Sequence, residues 1–244
     1  MSLEKTRSAP AGPAFHITRV VHGLIFDRSD GRFPTRAWGW RGFEPLELDI
    51  VGSTLFGFVL DGEPEVNAGG NRYWLKPGQY FCFHDALRVS GGSGFVVERL
   101  GWRGLDMIGG PVETSGRLRY IDGCTDTLLT PPVKRGDACF NALFFPGGID
   151  QTLHTHPSIR VGMVAQGSGW CLTDVGLTPL RPGQVFVIDQ DAIHGFRTAP
   201  HQGMVVIAYH PDSDFGPLDE DHPMINRTLV HGVSASLIDE IRTH

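Results

Sequence analysis

Hydrophobic residues along this chain occur in short runs that are rich in β-branched and aromatic types and are separated by glycine and proline. Such runs predict β-strands joined by turns rather than long helices. In the second half of the chain, the predicted strands cover residues 151–156, 161–165, 169–173, 184–188, 194–198 and 204–210. Only the end of the chain has helical spacing, with Leu237, Ile238 and Ile241 on one side and Ser234 as an N-cap. The pattern predicts an all-β fold with a short C-terminal helix over residues 233–244.

Two blocks of the sequence are repeated in the same register. Phe56–Gly62 parallels Val161–Gly167, and Leu75–Phe81 parallels Leu180–Phe186, both at an offset of 105 residues. A shared offset with shared turn residues indicates a tandem duplication. Each unit would have about 100 residues, which is a common size for one β-barrel domain.

The duplication predicts four segments. They are a flexible tail over residues 1–14, an N-terminal barrel over 15–117, a C-terminal barrel over 118–232 and the helix over 233–244. Met1–Pro13 carries charge but no apolar core, so a signal peptide is not predicted there. The segment 210–226, dense in acids and proline, is predicted to be either a solvated loop or a lid over a barrel mouth.

The composition and charge of the chain indicate which classes of binding partner are not expected. The chain has 244 residues, 41% hydrophobic and 20% charged, with a formal net charge of −6. Lysine and arginine are scattered, so nucleic acid is not an expected partner. No apolar run approaches the ~18 residues of a membrane helix, so no membrane partner is expected. The four cysteines are widely spaced, which is typical of reduced thiols and predicts a cytoplasmic protein.

The candidate chemistry lies in three histidines. His154 and His156 are two residues apart, and His194 follows 38 residues after His156. Two side chains at i and i+2 on a strand point to the same face, and a third from a neighbouring strand completes three corners of a metal site. A single histidine is more often structural, but this trio favours one divalent metal ion. Imidazole accepts Fe, Zn, Ni or Mn, so the ligand type does not identify the metal.

These spacings resemble the two motifs of the cupin superfamily. The first, G-x5-H-x-H-x3,4-E-x6-G, is matched in every spacing, with arginine in the glutamate position, by Gly148, His154, His156, Arg160 and Gly167. The second is G-x5-P-x-G-x2-H-x3-N. Its glycine and histidine are Gly183 and His194, and its proline, glycine and asparagine positions hold Asp189, Asp191 and Thr198. Together with the repeat, the motifs resemble a bicupin, which implies two tandem jelly-roll (double-stranded β-helix) barrels.

The resemblance implies that only the C-terminal barrel carries the metal. At the repeat offset, His154 and His156 correspond to Asp49 and Val51, and with one residue missing His194 corresponds to Arg88. No imidazole lies at these positions, so the N-terminal barrel is predicted to be metal-free.

Arg160 changes the expected chemistry of the site. A protonated guanidinium cannot coordinate a metal, which leaves a neutral set of three imidazoles. Arg160 could hold a substrate carboxylate in a bidentate contact. Alternatively, it could turn outward or pair with an acid such as Asp189 or Asp191.

Three-histidine iron sites without a carboxylate resemble those of cupin dioxygenases that act on diketones, thiols and aromatic hydroxyacids. The leading hypothesis is a non-haem Fe(II) dioxygenase acting on a small organic acid. One alternative is a non-catalytic binder or sensor of a small molecule. Another is a metal-assisted isomerase or lyase on a sugar or hydroxyacid, with Asp189, Asp191 or a water molecule as the base. The expected partners are a small anionic substrate or ligand and a second copy of the chain in a homodimer.

Overall fold

The computed structural model describes residues 14–213 and 226–241. These residues form twenty-two strands: β1 Phe15–Arg19, β2 Gly23–Arg28, β3 Thr35–Arg41, β4 Leu46–Leu48, β5 Thr54–Asp61, β6 Glu65–Ala68, β7 Asn71–Trp74, β8 Tyr80–His84, β9 Leu87–Ser90, β10 Ser93–Arg99, β11 Met107–Gly109, β12 Leu118–Arg119, β13 Thr125–Thr130, β14 Cys139–Phe145, β15 Arg160–Gly167, β16 Gly169–Thr173, β17 Gly176–Leu180, β18 Gln184–Ile188, β19 His194–Arg197, β20 Met204–His210, β21 Leu229–Val230 and β22 Val233–Ser234. Short 3-10 turns occupy Ile121–Gly123, Ala235–Leu237 and Asp239–Ile241. The predicted all-β fold is confirmed. Within the described ranges, no helix is long and apolar enough to span a membrane.

Each half of the chain is a barrel made of two sheets. In the N-terminal half, a six-stranded sheet (β11-β8-β5-β10-β3-β2) faces a four-stranded sheet (β4-β9-β6-β7). In the C-terminal half, a seven-stranded sheet (β1-β18-β15-β20-β14-β13-β12) faces a three-stranded sheet (β17-β16-β19). One apolar core lies between the two sheets of each pair, as expected for a jelly-roll barrel.

The two barrels pack against each other through their large sheets, which explains the nearly continuous apolar runs in their strands. On β5, Leu55 and Val59 face the core of the N-terminal barrel. Phe56 and Phe58 point the other way, into a third core shared with strands of the C-terminal barrel. Successive side chains of a strand alternate between faces, so a strand buried on both faces is apolar at nearly every position.

Phe56 is a central contact between the barrels, and its removal should be costly. Its ring centroid lies 5.9 Å from that of Trp102, 6.0 Å from Phe140 and 5.3 Å from Tyr209, and the side chain is fully buried. We expect Phe56→Ala to lower the free energy of unfolding by about 3–5 kcal/mol, because it leaves a cavity in a closed core. Phe43→Ala is the matched control, since Phe43 is 92% exposed. Urea unfolding of both variants measures the difference, and equal stabilities would contradict this description of the interface.

The first strand crosses from one barrel to the other. β1, predicted from the sequence to belong to the N-terminal barrel of residues 15–117, pairs antiparallel with β18 and completes the edge of the C-terminal sheet. The sheets therefore divide the chain differently from that prediction at its N-terminal end. The physical reason is that β18 would otherwise present an unpaired edge, which β1 covers. The tail predicted for residues 1–14 lies outside the described residues except for Ala14.

The prediction of a C-terminal helix is wrong for its described part. Val233 and Ser234 pair with β21 as a strand, and two 3-10 turns follow. Ser234 does accept a hydrogen bond from the backbone N–H of Ser236, but it caps a 3-10 turn. Leu237 and Ile241 are 76% and 54% exposed, so most of the surface of these two side chains is not covered by the described residues. A short helix without tertiary packing is marginal in water.

The strand register locates the N-terminal counterpart of His194. His194 pairs with Thr173 of β16, and Leu87 pairs with Ala68 of β6. Thr173 and Ala68 are 105 residues apart and occupy the same place in their hairpins. Leu87 therefore occupies the place of His194 in the first barrel.

The same register places Leu48 opposite Leu87, as His154 lies opposite His194. Both leucines are buried in the apolar core of the N-terminal barrel. The sequence analysis predicted Asp49 and Arg88 as these counterparts, and each prediction is wrong by one residue. The 105-residue offset holds only for the strands that were used to define it, so it does not apply at these positions. Apolar side chains thus replace two of the three imidazoles in the first barrel.

Candidate metal centre

The three predicted histidines meet inside the C-terminal barrel. His154, His156 and His194 each offer a ring nitrogen, and these atoms all lie within 4.8 Å of one another. The ring centroids are 5.0 Å apart for His154 and His156, 4.5 Å for His154 and His194, and 5.1 Å for His156 and His194. This is the donor set expected for a three-coordinate protein site with open positions for other ligands.

The backbone fixes two of these residues directly across from each other. The N–H of each of His154 and His194 donates to the carbonyl of the other at 2.9 Å. The predicted strand over residues 151–156 is reduced to this single bridge, since Pro157 follows and cannot donate to a ladder. His156 is held by its carbonyl, which accepts from the N–H of Asp191 at 2.8 Å. Asp191 itself is exposed, with φ 58°.

Second contacts orient two of the rings. Nδ1 of His154 lies 2.7 Å from the carbonyl oxygen of Thr152, and Nδ1 of His194 lies 2.9 Å from that of Ala192. A carbonyl can only accept, so each Nδ1 carries the proton and each Nε2 keeps its lone pair. Metal-binding histidines are usually fixed in this way by their other ring nitrogen.

Burial keeps the imidazoles of His156 and His194 neutral. It lowers the pKa of His156 to about 3, and the positive charge of Arg160 acts in the same direction. Burial also lowers the pKa of His194 to about 4. A neutral imidazole is the form that binds a metal, so the ligands are preorganised for a cation.

The same burial predicts how the stability of the metal-free protein depends on pH. His156 and His194 stay neutral in the fold, but in the unfolded chain they take up protons below about pH 6.5. The free energy of unfolding should therefore fall as pH is lowered from about 6.5 towards 4. Urea titrations of metal-free protein across this range measure the slope. His194→Asn should flatten it and exposed His201→Asn should not; an unchanged slope in His194→Asn would contradict the assigned burial.

The rings border a small cavity of about 20 Å³, which is room for one ion or one water molecule. Most of its other walls are apolar, formed by side chains of Leu143, Phe186, Ile188, Phe196, Val206 and Ala208. Three polar side chains complete the lining: Tyr120, Arg160 and His210. The cavity thus has mostly apolar walls and one polar end.

Comparison with solved structures identifies the architecture. A Pseudomonas aeruginosa protein described as glyoxylate-induced matches with a TM-score of 0.64 at 14% identity, over 89% of this chain and 96% of that one. A cupin 2 conserved barrel domain protein from Leptotrichia buccalis matches with a TM-score of 0.53 at 12% identity, over 84% and 92% of the two chains. The protein has the cupin fold. No protein-family model and no curated protein sequence matches the chain.

A third similar structure is an oxygenase. The salicylate 1,2-dioxygenase of Pseudaminobacter salicylatoxidans matches this chain with a TM-score of 0.55 at 10% identity, over 78% of this chain and 76% of that one. At this identity the likeness establishes the fold alone. The homodimer and the cytoplasmic location stay predictions.

Arg160, in the position of the cupin glutamate, lies at the polar end of the cavity and is mostly buried. Its Nη1 donates to the hydroxyl and, at 3.2 Å, to the carbonyl of Ser158. The Ser158 hydroxyl in turn donates to Asp212, whose carboxylate lies 3.8 Å from Nη1. Nε of Arg160 is buried without a hydrogen-bond partner among the described residues. Burial lowers the pKa of Arg160, and the Asp212 carboxylate opposes that shift.

The acid that pairs with Arg160 is therefore neither of the two predicted. Asp189 lies 3.5 Å from His16 of β1 and 3.5 Å from Arg28, so it ties the crossing strand to β18. Asp191 is not among the residues that line the cavity. Its contribution to the site is the backbone contact to His156.

Sequence reasoning missed His210 as a cavity residue. The sequence predictions placed it both at the end of the strand 204–210 and at the start of the segment 210–226, of which residues 214–225 lie outside the described part, and it is the last residue of β20. Val206, Ala208 and His210 alternate along that strand and all line the cavity. Extending the period of two by one step would have placed His210 inside the barrel. Burial lowers its pKa well below the ordinary value.

Proposed function

We propose that this cupin binds one divalent transition-metal ion through His154, His156 and His194 and is a non-haem Fe(II) dioxygenase of a small organic acid. The observation that carries the proposal is the convergence of three buried or half-buried imidazoles. Two of them have Nδ1 hydrogen-bonded to a backbone carbonyl, which leaves on Nε2 the lone pair that a metal ion would need. The donor set is neutral, so it preserves the full charge of the ion. An Fe(II) ion held there would supply one-electron chemistry with dioxygen and open positions for ligands.

Arg160 is proposed to hold the carboxylate of the substrate. Its Nη1 is fixed by Ser158, which restricts the orientation of the planar guanidinium. Nε has no partner among the described residues although it is buried, and such a donor is costly to leave unpaired. A substrate carboxylate at the polar end would satisfy it in a charge-assisted contact. The apolar walls would then exclude water from the reacting part of the substrate.

One protein that shares this fold binds an organic acid. The salicylate 1,2-dioxygenase that shares this fold has been crystallised in complex with gentisate, which is an aromatic hydroxyacid. Its TM-score of 0.54 to this chain concerns the fold, so the choice of substrate class here rests on Arg160 and the three imidazoles.

A non-catalytic metal-binding cupin is the second candidate. Two observations favour it: the cavity of about 20 Å³ is small, and Arg160 already has a carboxylate partner in Asp212. The isomerase or lyase hypothesis has less support, because neither Asp189 nor Asp191 lines the cavity as a base.

Oxygen uptake separates these functions. The protein is loaded anaerobically with Fe(II), mixed with air-saturated buffer and tested with gentisate, salicylate, acetylacetone and cysteine in an oxygen electrode. We expect uptake with an acidic compound that is stoichiometric with its consumption and is lost in the zinc-loaded protein. Saturable binding of an acid to the iron-loaded protein without oxygen uptake would instead support the non-catalytic candidate and overturn the dioxygenase.

A further inference from the structure

A second cleft lies between the two barrels, away from the histidines. Its volume is about 650 Å³, within the usual range of small-molecule sites. It is formed by the ends of β1, β3 and β5 together with the turns at residues 92–93 and 181–184. No metal-ligand histidine lines it.

Three arginines converge on this cleft: Arg19, Arg41 and Arg181. None of their guanidinium groups forms an ion pair or a hydrogen bond with any residue in the described ranges, whereas Arg160 and several surface arginines are paired with acids. Asp61 is the one acid in the lining. A cleft with an excess of two positive charges is unusual in a chain whose formal net charge is −6, and it would concentrate anions locally.

Part of the cleft lining is apolar, formed by Val20, Leu60 and Pro182. Val20 is buried there, and its N–H donates to the carbonyl of Gly183 at 2.9 Å. A Cβ on Gly183 would lie 3.4 Å from Leu60 of the other barrel, and Gly183 has φ 77°. The two barrels thus touch closely below the arginines, so a ligand would rest on an apolar surface while its charges face the guanidinium groups.

The duplication provides an internal comparison. Leu60, Asp61 and the Pro182-Gly183 turn correspond at the 105-residue offset to Ala165, Gln166 and the Pro77-Gly78 turn. Those counterparts line a smaller cleft of about 240 Å³. That cleft contains Glu113 and has no arginine or lysine in its lining. The positive charge is therefore specific to one of the two related clefts rather than a consequence of the architecture.

We propose that the cleft of Arg19, Arg41 and Arg181 binds a small organic polyanion with two or more phosphate or carboxylate groups. Guanidinium groups bind both kinds of oxyanion in the same bidentate geometry. The apolar part of the lining suits the carbon skeleton of such a ligand. The proposal is independent of the metal centre, because the two sites share no lining residue.

Calorimetric titration of the metal-free full chain tests it, with inorganic pyrophosphate, citrate and ATP as probes at low ionic strength. Each of Arg19→Gln, Arg41→Gln and Arg181→Gln should weaken binding about tenfold, because each removes one charge-assisted contact. The cleft triple variant combines these three substitutions. The matched control is the triple variant Arg72→Gln, Arg88→Gln, Arg103→Gln, which changes the net charge by the same amount at residues that lie elsewhere. Circular dichroism checks that every variant is folded.

Saturable binding of a probe that is lost in the cleft triple variant and kept in the control supports the proposal. Preference for pyrophosphate and ATP over citrate would assign a phosphate ligand, and the reverse a polycarboxylate. Equal loss in both triple variants would mean that general electrostatics attracts the anion, and the absence of saturable binding with all three probes would overturn the site. Because the metal-free protein is used, none of these outcomes depends on the dioxygenase proposal.

Discussion

Replacing His156 by alanine should lower the metal content of the purified protein from the proposed one ion per chain to roughly a tenth of that or less. His156 supplies one of three nitrogen donors, and the ring atoms of His154 and His194 alone would form only two bonds. Arg160 cannot replace the lost ligand because its guanidinium stays protonated. Elemental analysis by mass spectrometry after loading with Fe(II) or Zn(II) and desalting measures the content.

His201→Ala is the control for this result. His201 is exposed in a turn after β19 and belongs to no cluster of possible ligands in the described chain. It should keep full metal content, and circular dichroism should show both variants folded. Full metal retention by His156→Ala would remove His156 from the site.

Arg160→Glu should have opposite effects on metal and substrate. A carboxylate in the cupin glutamate position adds a fourth donor, so the metal should dissociate more slowly into a chelator. The same change replaces the cation proposed to bind the substrate carboxylate by an anion, so the affinity for an acidic substrate should fall about a hundredfold or more. Asp212 lies 3.8 Å from Nη1 of Arg160, and its charge would add to the repulsion.

Arg160→Lys separates charge from geometry. Lysine keeps the cation but lacks the planar fork, so it should retain part of the affinity that glutamate loses. The amide of the best acid found in the oxygen assay serves as a neutral probe, and its binding should be similar in wild type and in Arg160→Glu. An acid affinity that is unchanged by Arg160→Glu would contradict the role of Arg160 as a clamp.

The strands were largely predictable because their sequence periods are local. β16, β18 and β20 begin and end at the residues that the apolar runs and their Pro-Gly turns predict. The crossing of β1 was not predictable, because nothing within Phe15–Arg19 distinguishes an edge of its own barrel from an edge of the other. The prediction of a C-terminal helix was wrong for a related reason: the apolar spacing is helical, but among the described residues no surface buries Leu237 and Ile241.

The site was predictable where its residues are close in sequence or share a motif. His154 and His156 are two residues apart, and the cupin spacing connects them to His194. Asp212 was not predicted as the partner of Arg160, because a side-chain contact over more than fifty residues leaves no local pattern. The N-terminal counterparts were displaced by one residue because register is set by hydrogen bonds between strands, which counting along the chain does not reveal.

The most direct test of metal binding by the three histidines is diffraction at the iron absorption edge. The crystals are grown after anaerobic loading with Fe(II). We predict a single anomalous peak inside the second barrel, about 2.0–2.2 Å from one ring nitrogen of each of His154, His156 and His194. No peak there, with none appearing after separate loading with zinc, nickel and manganese, would contradict a metal centre in this protein.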